Sequence, residues 1–541
     1  MNTSSWFLGV KWLLLLAPVC CSFFASRGLL HYFQLESYQF PGYFRALGRN
    51  RVHSLLPGLC VTLACLVLYY LFDLLALRGA PAWAAVAALC LLLPVASLAG
   101  YGVRRLFSEK NAKKEFNFTG RVKRLYAMLL LVMTLVSWLA SQAPWAILPA
   151  LWPLCLPLVI ALAGLLAWPV EKAISECYFR DAQRRLLKNP DLVRIGITGS
   201  YGKTSVKHIL GTLLSEKYPT LITPASYNTP MGVSRAIREG LTPSYQIFIG
   251  EMGARHVGDI KEMCRLVRPT IGLITSVGPQ HLETFKTVER VAKTKYELIE
   301  ALPEKDSHAY FYDDGAFVTE MYQKTAKPKT LCGKNPETAG CWYGDVRVSG
   351  EGSAFMLHIA GKGSVECHTR LLGEHNIHNI VLAAAVASDL RLTLKQIAHG
   401  IEKLQPVKHR LELVSSPGSF TIINDAFNSN PVGAKAALQV LKGFPRRRII
   451  ITPGMVELGR GEAEYNRAFG REMAGCVDIA IIVGKNRAAP IIEGLKEAGF
   501  PEEAIHRVDS LNQSTELLRS LVLPTDTVLY ENDLPDHYQE A

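Results

Sequence analysis

Several features are missing from this 541-residue chain, and each absence narrows what it can be. Its twelve cysteines include no C-x-x-C pair, so neither a zinc site nor a disulfide framework is predicted. Seven of them fall in or near the apolar first third and read as small reduced hydrophobes. There are no internal repeats and no low-complexity tracts, which excludes a repeat array. The last two thirds lack any excess of basic charge: residues 191–541 hold 40 Lys and Arg against 40 Asp and Glu. The whole formal charge of +12 therefore sits in residues 1–190, with 19 basic residues against 7 acidic ones. Those basic residues flank apolar runs, a pattern of anionic lipid and membrane topology and not of a nucleic-acid surface.

Five runs approach or exceed the roughly 20 apolar residues needed to cross a bilayer. They are approximately 6–25, 55–77, 82–103, 125–141 and 145–168. The first has no basic stretch ahead of it and carries Lys11 inside it, so it reads as a retained anchor and not as a cleaved signal. Residues 27–53 carry Arg27, Arg45, Arg49 and Arg51, and residues 104–124 carry eight Lys or Arg; the alternate connections carry one between them. By the positive-inside rule the N-terminus lies outside, five helices cross an inner (cytoplasmic) membrane, and everything after Glu171 is cytoplasmic. The aromatic segment 29–44, interrupted by Pro41-Gly42, reads either as an amphipathic element in the headgroup region or as a cytoplasmic loop.

Immediately behind this region comes Thr198-Gly199-Ser200-Tyr201-Gly202-Lys203-Thr204-Ser205. A buried strand (192–197) precedes it and a helical pattern (206–214) follows, the context a phosphate-binding loop requires. Glycines let backbone N–H groups approach phosphate, Lys203 reaches the β/γ-phosphates, and Thr204 can ligate Mg²⁺. Ile197 stands where the eight-residue Walker pattern has its first glycine.

After a charged amphipathic stretch, 171–190, short β-rich runs alternate with helical patterns, which predicts a mostly parallel α/β sheet. Strands are expected at 246–250, 270–275 and 309–312. A second α/β series is expected at 421–424, 448–452, 479–483 and 527–530, with an antiparallel insertion between 330 and 372. The expected organisation is a membrane region (1–170), a linker (171–190), a central P-loop domain (191–404) and a Rossmann-like C-terminal domain (405–541).

Seven blocks in order carry a resemblance. They are TGSYGKTSVK (198–207), EMGARHVGDI (251–260), TSVGPQHLETF (275–285), AKTKYE (292–297), LGEHNIHN (372–379), NDAFNSNP (424–431) and GMVELG (454–459). Residues 190–541 resemble the Mur ligase family, closest to the MurF type, which joins D-alanyl-D-alanine to a nucleotide-linked muramoyl tripeptide. The resemblance implies that ATP phosphorylates a carboxylate and that an amine then attacks the acyl phosphate, giving an amide, ADP and phosphate. It implies nucleotide contacts from Gly199, Ser200, Gly202, Lys203, Thr204 and Ser205, with Asn376 and Asn379 toward adenine and Arg410 and Asp425 toward phosphate and ribose. Thr204, Glu251 and His281 would bind Mg²⁺, two ions in all. Lys295 would be N-carboxylated, its carbamate near the metal, although neighbouring Lys293 is an alternative for that role. Lys203, Lys295 and His281 would carry the catalysis.

The pattern also breaks. Apolar helices stand where the family has its UDP-sugar-binding domain, and Tyr530-Glu531-Asn532-Asp533 stands where MurF-type proteins carry Lys-Gly-Ser. The expected function is thus a membrane-anchored acid–amino acid ligase of peptidoglycan or cell-envelope synthesis. Its partners would be ATP, a muramoyl-peptide or lipid-linked carboxylate, an amino acid or dipeptide amine, and membrane lipid, with no nucleic acid. A polyglutamate-synthase-like ligase, an ATP-driven transporter and an ATP-binding scaffold are the competing readings. The soluble part lacks the LSGGQ signature of an ABC transporter.

Overall fold

A computed structural model describes residues 3–77, 82–106, 115–142, 148–225, 227–349, 352–415, 420–427, 429–485 and 487–533. The chain divides into two compact units, Met1–Ser175 and Glu176–Ala541.

The first unit is helical. Long helices cover Thr3–Ala25, Arg51–Leu77, Ala82–Leu106 and Gly120–Ser141, and another begins at Leu156. Among the described residues three helical stretches are long and apolar enough to cross a membrane: Arg51–Leu71, Gly120–Ser141 and Leu148–Leu187. The expected count of five is therefore met by three, with Leu15–Ala25 a shorter apolar helix. Leucines at 55, 59, 63 and 74 and Val67 are exposed along one helix, and Leu131, Leu135, Trp138 and Leu139 along another. The first residues of the fifth run, 145–147, lie outside the described residues, and from Leu148 on it is not a single helix. A short turn, Leu148–Leu151, and a 3₁₀ turn, Trp152–Cys155, precede the helix that starts at Leu156 and continues to Leu187. Pro149 and Pro153 sit in these two turns. Segment 29–44 is largely helical and amphipathic and not a plain loop. Helices Arg27–Leu35 and Phe40–Arg49 bury Leu29, Leu30, Phe33 and Tyr43, and Phe33 packs its ring on Tyr38, Phe40 and Tyr43.

The second unit holds two α/β lobes. Strands of the central lobe are β1 (Val193–Thr198), β2 (Thr220–Ile222), β3 (Ile247–Glu251), β4 (Ile271–Ile274), β5 (His308–Tyr312), β6 (Lys329–Gly333), β7 (Cys341–Ser349), β8 (Gly352–Ile359) and β9 (Gly363–Thr369). Their order is β2-β3-β1-β4-β5-β6-β7-β8-β9, parallel as far as β7 and antiparallel from β7 to β9. Period-two side chains feed two cores: Ile195, Ile197 and Ile249 enter one face, while Phe248 and Ile274 enter the other. β1 lies between β3 and β4, so the chain crosses over in opposite directions from it, and ligands of open α/β sheets bind beyond the strand ends at such a point.

The C-terminal lobe contains β10 (Glu412–Ser415), β11 (Thr421–Asp425), β12 (Arg448–Thr452), β13 (Ile479–Val483), β14 (Ile505–Val508) and β15 (Thr527–Glu531). Their order is β10-β11-β15-β12-β13-β14, with only β10 antiparallel to its neighbour. Ile450 and Ile482 enter one core, and Ile449, Ile451 and Ile481 the other.

Candidate active site

The loop between β1 and the helix Lys203–Ser215 turns where only glycine fits. Gly199 has φ +153 and Gly202 φ +79; a Cβ would lie 2.0 Å from Thr275 Oγ1 at the first and 2.5 Å from Asn379 Oδ1 at the second. The segment after β4 clamps this loop. The Ser276 hydroxyl accepts from Tyr201 N (2.7 Å), the Ser276 carbonyl accepts from Ser200 N (2.9 Å), and Thr275 Oγ1 donates to the Tyr201 carbonyl. The Ser200 hydroxyl is engaged with Gly278, donating to its carbonyl at 3.1 Å, so Ser200 serves the clamp as well as the loop. Thr275 and Ser276 open the block 275–285, but their clamping role comes from β4 pairing beside β1.

Lys203 folds back onto its own loop, donating to the carbonyls of Gly199 (2.6 Å) and Ser200 (3.1 Å). Burial brings its amine down to about 8, Glu251 opposing the drop and Arg410 adding to it. Glu251 ends β3, register partner of Ile197, and is almost fully buried. Its Oε1 accepts from Thr204 Oγ1 (3.1 Å) and Asn228 Nδ2 (3.2 Å), and its Oε2 faces Lys207 Nζ at 3.1 Å. Burial alone would raise this carboxyl, yet Lys207 and Lys203 with the hydrogen bonds from Lys207 and Asn228 hold it below the usual carboxylate value.

Lys295 and Lys293 part company in the fold. On the helix Val288–Glu300, Lys293 is exposed and Lys295 is buried. Burial, helped by the charge of Lys203, pushes the Lys295 amine well below its ordinary value, with Asp259 and Glu297 opposing. Both of those acids are committed to the turn ahead of the helix Asp259–Val267: Glu297 accepts from Gly258 N and Lys261 N, and Asp259 from Arg255 N and His256 N. His281 sits in the left-handed region (φ 52) and joins its Nδ1 to Glu457 Oε2 of the C-terminal lobe. Burial lowers its pKa against the raising effect of Glu457.

Asn376 and Asn379 share the face of the helix Glu374–Asp389 that packs on the P-loop helix. They do different things: Asn379 abuts Gly202, whereas Asn376 Nδ2 donates to the Leu372 carbonyl (2.8 Å) and lines a neighbouring cleft. That cleft is also lined by Ser205, His208, Ile209, Leu404 and Arg410. Arg410 lies over the Phe427 ring at 4.7 Å, and burial lowers its pKa while Glu251 and Asp425 oppose. Asp425, at the end of β11, accepts from Leu411 N (3.2 Å) and is pushed up to about 6 by burial.

Among the described residues no three His, Cys, Asp or Glu side chains converge as a self-sufficient metal site. The oxygen groups that meet beside the loop are the Thr204 hydroxyl and the Glu251 carboxylate, and His281 and Lys295 lie in electrostatic range of Lys203. This set suits a hard cation that keeps waters and shares substrate phosphates, as Mg²⁺ does.

Fold and site define a two-lobed α/β protein with a phosphate-binding loop at a crossover point of its first sheet. Residues 197–387 match the Mur ligase middle domain, and residues 409–530 match the Mur ligase glutamate ligase domain. The chain is 31% identical over 298 residues to the UDP-N-acetylmuramoyl-tripeptide–D-alanyl-D-alanine ligase of Escherichia coli, spanning 54% of this chain and 65% of that one. It is 31% identical over 365 residues to the Mycobacterium tuberculosis ligase of the same name, spanning 62% of this chain and 70% of that one. The crystal structure of MurF from Acinetobacter baumannii superimposes with a TM-score of 0.61 at 25% identity, covering 67% of this chain and 78% of that one. The chain belongs to the Mur ligase family.

Proposed function

We propose that this chain is a membrane-anchored, ATP-dependent ligase that joins a carboxylate to an amine through an acyl phosphate, in peptidoglycan or cell-envelope synthesis. The observation that carries the proposal is Glu251: a sealed carboxylate held between Thr204 of the phosphate loop and Lys207, with Arg410 of the other lobe in electrostatic range. A crowd of cations around one carboxylate awaits a polyanion.

In this reading Gly199, Gly202 and the backbone to Ser205 cradle the phosphates of ATP, and Lys203 exchanges its loop carbonyls for the γ-phosphate. The cleft beside Asn376, next to the phosphate-loop helix, takes the adenine. Asn379 braces the loop at Gly202, and Arg410 and Asp425 reach the phosphates and ribose. Thr204, Glu251, His281 and a carbamate on Lys295 would hold Mg²⁺, two ions in the full set. Bound Mg²⁺ would neutralise charge on the transferring phosphoryl group. Burial lowers the pKa of the Lys295 amine, which favours the neutral form that adds CO₂.

The acceptor carboxylate attacks the γ-phosphorus, releasing ADP and forming the acyl phosphate. The amine then attacks the acyl carbon, the C–O bond to phosphate breaks, and the amine nitrogen loses a proton. Contact between the lobes at His281 and Glu457 excludes water from the acyl phosphate while it waits.

The helical region is proposed as a multi-pass anchor in the inner membrane, of five crossings with the catalytic lobes cytoplasmic. Three or five crossings are both odd, so either count places the N-terminus on the opposite side from the lobes. A lipid-linked or membrane-delivered muramoyl peptide is favoured as acceptor because apolar helices occupy the place of the UDP-sugar domain. The amine is an amino acid or dipeptide. The test is to incubate the detergent-purified chain with ATP, Mg²⁺, amino acids or dipeptides, and UDP-linked or lipid-linked acceptors, and to identify products by mass spectrometry. Amide on the lipid-linked acceptor is the expected result. Amide on the UDP-linked acceptor alone overturns the lipid reading, and no amide despite ATP binding overturns the ligase.

A further inference from the structure

Two residues in strained backbone face each other where the lobes meet. His281 has φ 52 and Glu457 has φ 65, both in the left-handed region that non-glycine residues seldom occupy. Such conformations are costly and persist where the surroundings over-determine them, most often at functional sites. Here the surroundings are reciprocal. The imidazole Nδ1 meets Glu457 Oε2, and the side chains are only 17% and 12% exposed. Arg255 of the central lobe lies 3.3 Å from Glu457 Oε1. The Glu457 carbonyl accepts from Glu283 N at 3.2 Å. Gly459 lies so close to Leu282 that a Cβ would come within 3.3 Å of its backbone.

A neutral imidazole carries one N–H, and the nitrogen that donates leaves the other with its lone pair. Beside the Arg255 guanidinium, Glu457 is an acceptor, so Nδ1 holds the proton and Nε2 the lone pair. Metal-binding histidines are oriented by such a partner as a rule. Here it arrives from the other lobe.

We propose that Glu457 is a positioning residue that fixes the tautomer and direction of His281, so that the imidazole is presented as a ligand only when the C-terminal lobe is seated on the central one. Lobe closure and completion of the cation site are then one event. Arg255 supports it by holding the far oxygen of the carboxylate. The inference rests on the reading of His281 as a Mg²⁺ donor.

The experiment uses the full chain in detergent with ADP and Mn²⁺ as a paramagnetic stand-in for Mg²⁺. Electron spin-echo modulation detects a directly bound imidazole nitrogen, and a Mn²⁺ titration gives the affinity. Wild type is expected to show nitrogen modulation that His281→Ala abolishes. Glu457→Ala and Glu457→Asp, whose shorter arm does not reach, are expected to lose most of that modulation and to bind Mn²⁺ roughly 10-fold or more weakly. Glu457→Gln keeps an acceptor oxygen and is expected to retain both. Thermal unfolding and ADP affinity of each variant report whether it is folded, and the Gln/Asp contrast carries the test if the Ala variant is not. Unchanged modulation and Mn²⁺ affinity in folded Glu457→Asp would overturn the positioning role and leave the metal reading standing. No nitrogen modulation in wild type with ADP bound would overturn both.

Discussion

Lys207 and Glu251 form an ion pair sealed from solvent, Nζ to Oε2 at 3.1 Å, with both side chains essentially fully buried. Lys207 also donates to the Ala225 carbonyl, and Glu251 is held on its other oxygen by Thr204 and Asn228. The pair fixes the carboxylate that faces the phosphate loop.

Removing one partner of a buried pair leaves an uncompensated charge, typically at a cost of about 3–5 kcal/mol. Lys207→Met is expected to destabilise by that order in denaturant unfolding and to abolish nucleotide turnover. The double variant Lys207→Met/Glu251→Leu, apolar on both sides, is expected to regain most of the stability and none of the turnover. A double variant as unstable as the single one would contradict this.

The phosphate loop has no room for a side chain at Gly202. Gly202→Ala combines a positive φ with a contact on Asn379 Oδ1 at 2.5 Å. ATP affinity should fall at least about 5-fold, since the strain alone is worth about 1 kcal/mol or more. Asn379→Ala relieves the contact but not the dihedral, so adding it should restore affinity only in part; calorimetry of the three variants decides it.

Lys295 and Lys293 are separated by burial, and labelled bicarbonate tests the difference. With ¹³C-bicarbonate the wild-type chain and Lys293→Ala are expected to give a carbamate ¹³C resonance, and Lys295→Ala none. Ligase activity should follow the same order and fall on removal of CO₂. A resonance surviving in Lys295→Ala would move the role elsewhere.

Glu531 and Asp425 are register partners at the ends of β15 and β11. Burial pushes Glu531 up to about 7, with the Ser429 and Thr452 hydroxyls opposing and the Asp425 charge adding; burial pushes Asp425 up to about 6. Both native values exceed those of unfolded carboxylates, so between roughly pH 4 and 7 the native chain binds more protons than the unfolded one. The stability they confer is complete below that window and is lost as pH rises through 6 and 7. The urea midpoint of the C-terminal lobe should therefore fall across the window, and Glu531→Gln should flatten its upper half. An unchanged slope in that variant would refute the assignment.

Much of the fold is legible because buried parallel strands are short apolar runs: those expected near 246–250, 270–275, 448–452, 479–483 and 527–530 fall on β3, β4, β12, β13 and β15. The less apolar strands are not. β9 reads Gly-Ser-Val-Glu-Cys-His-Thr and is largely exposed, and β14 is only half-buried, so neither carries a clear pattern. The phosphate loop is legible because its chemistry is local. Lys207 and Glu457 are not, for their partners are far along the chain: a lysine on a helix and a glutamate in a loop acquire meaning only when β1–β3 pairing and lobe contact deliver Glu251 and His281. The prolines at 149 and 153 mark in retrospect where the fifth apolar run breaks.

The central claim, that ATP activates a carboxylate for amide formation, is tested most directly by isotope transfer. A muramoyl-peptide acceptor labelled with ¹⁸O in its carboxylate is incubated with the full chain, ATP, Mg²⁺ and the amine that gives product. One ¹⁸O is predicted in the released phosphate for each amide formed, with phosphate release dependent on acceptor and amine together. Unlabelled phosphate, or ATP hydrolysis indifferent to both substrates, would contradict the account.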